Sequence, residues 1–271
     1  MRITAISLLL ATALVGCATD DDFGEDTAEP DDSVQGDGKA DGDVVQRYAL
    51  ELTSKTRIED TRETNPAKRY TDLQLKARAA VAVVQQGENI TLFVRLCDVK
   101  LPAIGGYQPQ LDPAFVSAIP QLNLVGKVET NTDGSRTLTT NPAAMVLGAQ
   151  LAHPLTDALP TDKNDPRVRD QDGDHKVGVS LLIPHTVKIF GTMRLILSLD
   201  ATYTNPNTIN GDADVQVSHS VLDDDSFFVN VKDMDEEAAP YTNVVSADNN
   251  VRMKAGGANC AAVRTAFPWA P

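Results

Sequence analysis

Apolar and polar residues alternate along most of the chain after residue 46. Tyr48, Leu50 and Leu52 show the pattern first, and similar runs recur up to residue 231. A period of two is typical of half-buried antiparallel strands that keep one face in water. The further apolar positions of the predicted strands are Leu73, Leu75, Ala77, Ile90, Leu92, Val94, Leu96, Leu122, Leu124, Val177, Val179, Leu181, Ile183, residues 189–199, Ala213, Val215, Val217, Phe227, Val229 and Val231.

Turn-forming residues separate these runs, and the stretch 198–214 has the pattern of strand, turn and strand. Asp112 as a cap and Pro113 at the first helical position predict one short helix. Two long irregular regions, 100–120 and 141–176, are the first places to look for binding. The predicted turns are Gln86-Gly87, Thr132-Asp133-Gly134, Asn205-Pro206-Asn207, Asn210-Gly211 and Asp223-Asp224-Asp225.

The pattern predicts an all-β body of about eight or nine antiparallel strands over residues 46–271, with long loops and one short helix. Such a set of strands hides its edges either by closing as a barrel or by stacking as a sandwich. Several predicted strands are ten residues or longer, which favours an antiparallel β-barrel or a strongly curved sheet in a single domain.

Residues 17–45 have a different composition from the body. They hold eleven acidic residues against Lys39 alone, so most of the net charge of −14 lies there. A segment with so few apolar side chains is predicted to be a disordered, extended tether, and an acidic interaction tail is the alternative. Because neither part carries a basic patch, a nucleic-acid partner is not expected.

The first residues have the organisation of a secretory signal. Arg2 precedes an apolar run from Ile6 to Val15, which is too short to span a bilayer as a helix. The run ends in Leu14-Val15-Gly16-Cys17, which resembles the lipobox of bacterial lipoproteins at all four positions. An ordinary signal peptide followed by a coincidental cysteine is the alternative.

The lipoprotein resemblance implies a signal peptide over residues 1–16 and a lipidated Cys17 that becomes the first residue of the mature chain. More than one acyl chain on Cys17 would fix the protein stably to a membrane of the bacterial cell envelope. Ala18 stands where an aspartate would resemble an inner-membrane retention signal, so the outer membrane is expected.

Two further cysteines, Cys97 and Cys260, lie in the predicted body. In an exported chain they indicate one disulfide that joins the third strand to the C-terminal tail. The alternative is a pair of unpaired thiols.

The sharpest local motif is Asp170-Gln171-Asp172-Gly173-Asp174-His175-Lys176. It resembles calcium loops of the EF-hand type, with Asp170, Asp172 and Asp174 at positions 1, 3 and 5 and the backbone carbonyl of Lys176 at position 7.

The motif departs from the EF-hand pattern at two positions. His175 replaces the usual glycine, and Leu181 stands where a bidentate glutamate belongs. That missing ligand could come from Asp162, Asp165 or another loop. A weak calcium site and a solvated acidic turn are the two interpretations.

No catalytic constellation stands out, because His153, His175, His185 and His219 are scattered. The sequence therefore predicts a non-enzymatic, membrane-anchored envelope lipoprotein whose β domain is structural or contacts an envelope protein.

Two alternatives remain. The strand pattern is also similar to calycins, lipocalins included, which implies a barrel that holds a lipid or another apolar ligand. Ala77, Ala79 and Ala82, if they face inward, would leave room for that ligand. A hydrolase that uses the acidic loop is the other alternative.

Overall fold

The computed structural model describes residues 44–101, 110–111, 119–183, 187–225 and 241–269. These residues form eleven strands in one antiparallel sheet, together with two short helices. The elements are β1 (Val44–Asp60), α1 (Pro66–Arg69), β2 (Tyr70–Gln86), β3 (Asn89–Lys100), β4 (Gln110–Leu111), β5 (Leu122–Thr130), β6 (Arg136–Thr140), β7 (Ala143–Leu147), β8 (Val179–Ile183), β9 (Val187–Asn205), β10 (Thr208–Asp224), β11 (Thr242–Ala255) and α2 (Cys260–Ala266).

The sheet curves into a ring. The path β10-β11-β1-β2-β3-β5-β6-β9 returns to its start because β9 also pairs with β10. The ring is not a complete barrel. Residues Thr208–Asp212 of β10 pair with Asn250–Lys254 of β11, and beyond these residues the two strands separate. The prediction of an all-β, strongly curved antiparallel sheet is therefore confirmed.

Strand β9 organises the side of the ring that carries the acidic loop. One edge of β9 pairs with β10 along most of its length. The other edge is shared by β6, β7 and β8, which pair with it one after another. Because β7 and β8 both dock on β9, the segment between them leaves and returns to the same strand.

The interior of the ring is packed with side chains from the alternating positions. One buried cluster draws members from all the ring strands and from β7 and β8. Burying each large aliphatic side chain of this kind contributes about 1.5–3 kcal/mol. Large side chains of the cluster that are less than 2 % exposed are Tyr48, Ile90, Leu92, Leu124, Leu138, Leu147, Ile209 and Met253.

Helix α2 covers part of the outer face of the ring. Asn259 caps the helix by accepting a 2.9 Å hydrogen bond from the amide of Ala262. Cys260 is bonded to Cys97 of β3, with an S–S distance of 2.04 Å. The predicted disulfide is confirmed, and it lies in a second buried cluster with Ala49, Ala80, Val263 and Phe267.

Some predicted boundaries are wrong for identifiable reasons. Asn210-Gly211 is not a turn but part of β10, and a Cβ on Gly211 would lie 2.2 Å from the carbonyl oxygen of Asp200. A glycine is needed here because β9 approaches closely. In the sequence, a glycine required for close packing looks the same as a glycine in a turn. Asp223 and Asp224 also belong to β10, and only Asp225 follows it.

Four strands were not predicted. β4 and β7 lie inside the two regions expected to be irregular, and β6 and β11 have too few apolar residues to show the alternation. The predicted helix at Asp112 and the predicted strand from Phe227 to Val231 fall outside the described residues, as do residues 1–43. None of the helices in the described part of the chain is long and apolar enough to cross a membrane.

Candidate metal centre

The acidic motif lies near the end of a long connection between β7 and β8. Both ends of this connection pack against Gly191 of β9. Gly148 and Gly178 have φ angles of 72° and 83°, and a Cβ on Gly178 would lie 2.1 Å from the Gly191 carbonyl oxygen. Only glycines allow three backbones to meet this closely, so the loop is pinned at its base.

Hydrogen bonds hold the loop in one arrangement over β9. The amide of Gly148 donates to Oε1 of Gln171 at 2.8 Å, which ties the start of the loop to the acidic motif. Nη1 of Arg194 donates to the carbonyl of Asp157 at 2.7 Å. These contacts make the connection an ordered part of the fold, although most of its residues are outside strands.

Asp170, Asp172 and Asp174, here called the carboxylate triad, converge on one point. Each offers a carboxylate oxygen, and these oxygens all lie within 4.8 Å of one another. Two ligands of one calcium ion, each about 2.4 Å from it, can be up to about 4.8 Å apart. The triad could therefore hold a metal ion, as the D-x-D-x-D spacing predicted.

No further acidic, histidine or cysteine side chain of the described residues joins the triad. Asp165 is paired instead with Nη2 of Arg167 at 2.7 Å. Asp162 accepts the amide of Asn164 at 2.8 Å. Neither residue supplies the missing bidentate ligand considered from the sequence.

Backbone amides hold the carboxylate of Asp170 in place. Its two carboxylate oxygens accept the amides of Gly173 and His175, each at 2.9 Å. His175 has a φ of 64°, and it is the sole non-glycine residue with positive φ in the described part of the chain. The prediction that His175 can occupy the glycine position of the motif agrees with this conformation.

Asp172 has one satisfied and one unsatisfied oxygen. Oδ2 accepts the amide of Ser180 at 2.8 Å, whereas Oδ1 is buried and has no hydrogen-bond donor among the described residues. Burial raises the pKa of Asp172, and the nearby charge of Asp174 adds to this effect. A buried carboxylate oxygen without a donor is costly, and a bound cation would satisfy it.

Asp174 already has a cationic partner. Its Oδ2 accepts 2.7 Å hydrogen bonds from Nζ of Lys188 and from Oγ of Ser180, and its Oδ1 accepts the amide of Lys176 at 2.9 Å. Burial would raise the pKa of Asp174, but these hydrogen bonds lower it below its usual value. Three carboxylates thus face one ammonium group.

The sequence did not reveal Lys188 or Ser180 as neighbours of the triad. They lie in β9 and β8, and no short motif links them to the loop. The sequence offered one indirect indication of these neighbours. Two consecutive predicted strands were expected to pair, and their pairing places Lys188 opposite Leu182. The predicted carbonyl ligand Lys176 contributes its amide to Asp174, and the role of its carbonyl stays a prediction.

The other predicted site residues are not brought together. His153 and His219 lie outside the triad, and Cys17 and His185 lie outside the described residues. Ala77 and Ala79 are buried in the filled core, but Ala82 is half-buried and belongs to the opposite face of β2. The alternative of a bound apolar ligand stays a prediction from the sequence.

The resemblances to lipoproteins and to calycins stay predictions from the sequence. No family model, curated protein or solved structure matches this chain.

Proposed function

We propose that the chain is a lipoprotein of the bacterial cell envelope, anchored to the outer membrane through acylated Cys17. The tether over residues 17–45 carries a non-enzymatic β body that contacts other envelope components. Two observations support this organisation. The lipobox resemblance is complete over Leu14-Val15-Gly16-Cys17, and β1 begins at Val44, where the sequence predicts the tether to end.

The body is braced by calcium at the carboxylate triad. The observation that carries this part is the convergence of three carboxylate oxygens within 4.8 Å, beside which the described residues place one paired ammonium, that of Lys188. The ligand atoms are hard oxygens. Such ligands suit calcium or magnesium, whereas zinc and copper prefer softer nitrogen and sulfur ligands. A loop with carboxylate and carbonyl ligands suits the flexible coordination of calcium better than the strict octahedron of magnesium.

The calcium is structural and weakly bound. Leu181 replaces the bidentate glutamate, and Lys188 already neutralises part of the charge on Asp174. Both features favour an affinity on the order of 10⁻⁴ to 10⁻³ M, as in extracellular modules. Binding would hold the connection between β7 and β8 in the arrangement in which it is presented to partners.

The anchor is tested by the mass of the full chain purified from membranes of its native host. We expect the chain to begin at Cys17 and to carry the mass of at least two acyl chains. The matched control is Cys17→Ser, which should lack acyl mass and leave the membrane fraction. A native chain that keeps its first sixteen residues would overturn the anchored placement.

The calcium brace is tested by thermal melting of the full chain. At about 5 mM calcium and a Kd of about 0.5 mM, linkage gives about 1.4 kcal/mol of added stability, or roughly 3–5 °C in the melting temperature. Asp170→Asn with Asp172→Asn should abolish the response. Glu88→Gln with Glu129→Gln, two exposed acids elsewhere, should keep it. An equal response in both variants would refute the site.

A further inference from the structure

The ring has a seam where β10 and β11 separate. Their pairing ends at Asp212 and Asn250. Beyond this point no described strand pairs with residues 213–224 of β10 opposite β9, or with residues 242–249 of β11 opposite β1. Within the described part of the chain both stretches therefore have unpaired edges, and such an edge exposes amide and carbonyl groups.

The edge of β11 carries a bulge at Val245, since Arg57 pairs with Ser246 and Ile58 with Val244, but it lacks the other features that usually protect such strands. Val244 and Val245 are 64 % and 51 % exposed, and Asp248 is the only charged residue in the stretch 242–249. Natural edge strands are commonly blocked by lysine, proline or shortness. This edge is about 26 Å long, at about 3.3 Å per residue, which is enough to pair with a strand of about eight residues.

A cleft of about 730 Å³ lies beside this edge, lined in part by Thr139, Asp200, Asp212, Asp214, Asp248 and Asn249. Asp200 stands directly opposite Asp212 in the pairing of β9 with β10, and Asp214 is two residues farther along the same face. Like charges in directly opposite positions destabilise a sheet.

These acids have no ion-pair partner in the described part of the chain. No lysine or arginine of the described residues forms an ion pair with Asp200, Asp212 or Asp214. Lys127 is two strands from Asp200, about 10 Å away at the usual strand spacing. At that distance salt already screens most of its effect.

The charges define what can occupy the cleft. Its carboxylates do not converge on a single metal ion as the triad does. An acidic segment would be repelled by these carboxylates, whereas a basic segment would be attracted to them. Asn249 also lines the cleft, and its Oδ1 is buried without a donor among the described residues.

We propose that the seam is the docking site for an extended, basic segment of another protein. The segment adds as a strand along residues 242–249 of β11, with its lysine or arginine side chains near Asp200, Asp212 and Asp214 and its apolar side chains against Val244 and Val245. Main-chain pairing supplies affinity and the acids supply selectivity. This inference deepens the proposed role of the body in envelope contacts and rests on it.

The test uses the full chain and a labelled peptide of about eight residues that alternates lysine and valine, which matches the free edge in length. We expect saturable binding that weakens with salt, and hydrogen-exchange protection of amides within residues 242–249. Asp200→Asn with Asp212→Asn should weaken binding about three- to tenfold. The matched control Glu88→Gln with Glu129→Gln should leave it unchanged.

Four results would overturn the docking site. Two concern the lysine–valine peptide itself: equal binding to the two variants, or no hydrogen-exchange protection within residues 242–249. The other two are binding as tight as that of this peptide by a peptide with glutamate in place of lysine, or by spermine, which would indicate a site for small polycations. The titration is run with calcium chelated. If the peptide does not bind but Cys17 carries acyl mass and calcium raises the melting temperature, only the docking site is refuted. If the acyl mass and the calcium response are both missing, the proposed function is refuted.

Discussion

Two charged clusters lie on the outside of the ring, and they are balanced differently. The first, here called the latch cluster, consists of Arg78, Asp98 and Arg264 beneath α2. Arg78 and Asp98 pair at 2.7 Å with side chains only 10 % and 7 % exposed, and Arg264 contacts the same carboxylate at 3.1 Å. The carboxylate triad has three acids and the ammonium of Lys188.

The difference teaches how to tell a structural cluster from a binding site. In the latch cluster each buried charge meets an opposite charge from the chain. Arg78 also donates to the carbonyl of Phe267 at 2.9 Å and stacks 3.9 Å from the ring centroid of Trp269. Each cluster keeps one buried atom without a hydrogen-bond partner among the described residues, Nε of Arg78 and Oδ1 of Asp172. The latch cluster has two guanidinium groups to one carboxylate, but the protein also offers Arg78 a backbone carbonyl and an aromatic ring, whereas in the triad three carboxylates converge beside one paired ammonium. That excess of negative charge favours a cation from outside.

The largest expected effect concerns the covalent bond beside the latch cluster. Replacing Cys97 and Cys260 together by alanine should lower the free energy of unfolding by about 4–5 kcal/mol, because the bond closes a very long loop in the unfolded chain. Urea denaturation with and without reductant measures this. Only the wild type should respond to reductant, and equal stability of the two proteins would show that the bond does not hold α2 in place.

Breaking the latch cluster should cost about 3 kcal/mol. Asp98→Asn leaves the guanidinium of Arg78 buried without its counterion, which is strongly destabilising. The matched control is Asp72→Asn, which breaks the exposed pair with Arg57 and should change the free energy of unfolding much less. Equal losses of stability in the two variants would mean that burial does not distinguish the latch cluster from a surface pair.

A smaller effect is expected when the triad loses its own cation. Lys188→Met keeps most of the side-chain volume and removes the ammonium from Asp174. Calcium should then bind about three- to tenfold more tightly, because it no longer competes with a charge at that carboxylate. Isothermal titration of the variant and the wild type measures the ratio. An unchanged affinity would contradict a calcium site next to Lys188.

The smallest effect concerns the ion pair earlier in the same connection. Hydrogen bonds from Arg167 lower the pKa of Asp165 to about 2, below its ordinary value of 3.8. The folded carboxyl therefore stabilises the protein above pH 3.8, and this contribution is lost as the pH falls through about 2. A carboxyl NMR titration measures the shift. In Arg167→Met the pKa should return towards 3.8, and a titration like that of the wild type would exclude the pair as its cause.

The fold class and the triad could be predicted because both depend on local patterns. Alternation places Tyr48, Leu92 and Leu124 in the core, and the D-x-D-x-D spacing brings three carboxylates to one loop. Strand β11 and Lys188 could not be predicted in the same way. The exposed half of β11 has almost no alternation, and the contact between Lys188 and Asp174 depends on how β8 and β9 pair.

The central claim is that calcium balances the excess negative charge of the carboxylate triad. Isothermal titration of calcium into the full chain tests it most directly, with Asp170→Asn/Asp172→Asn as the comparison. We predict one site with a Kd on the order of 10⁻⁴ to 10⁻³ M in the wild type and no binding in the variant. Absence of binding to the wild type, or equal binding to both proteins, would contradict the claim.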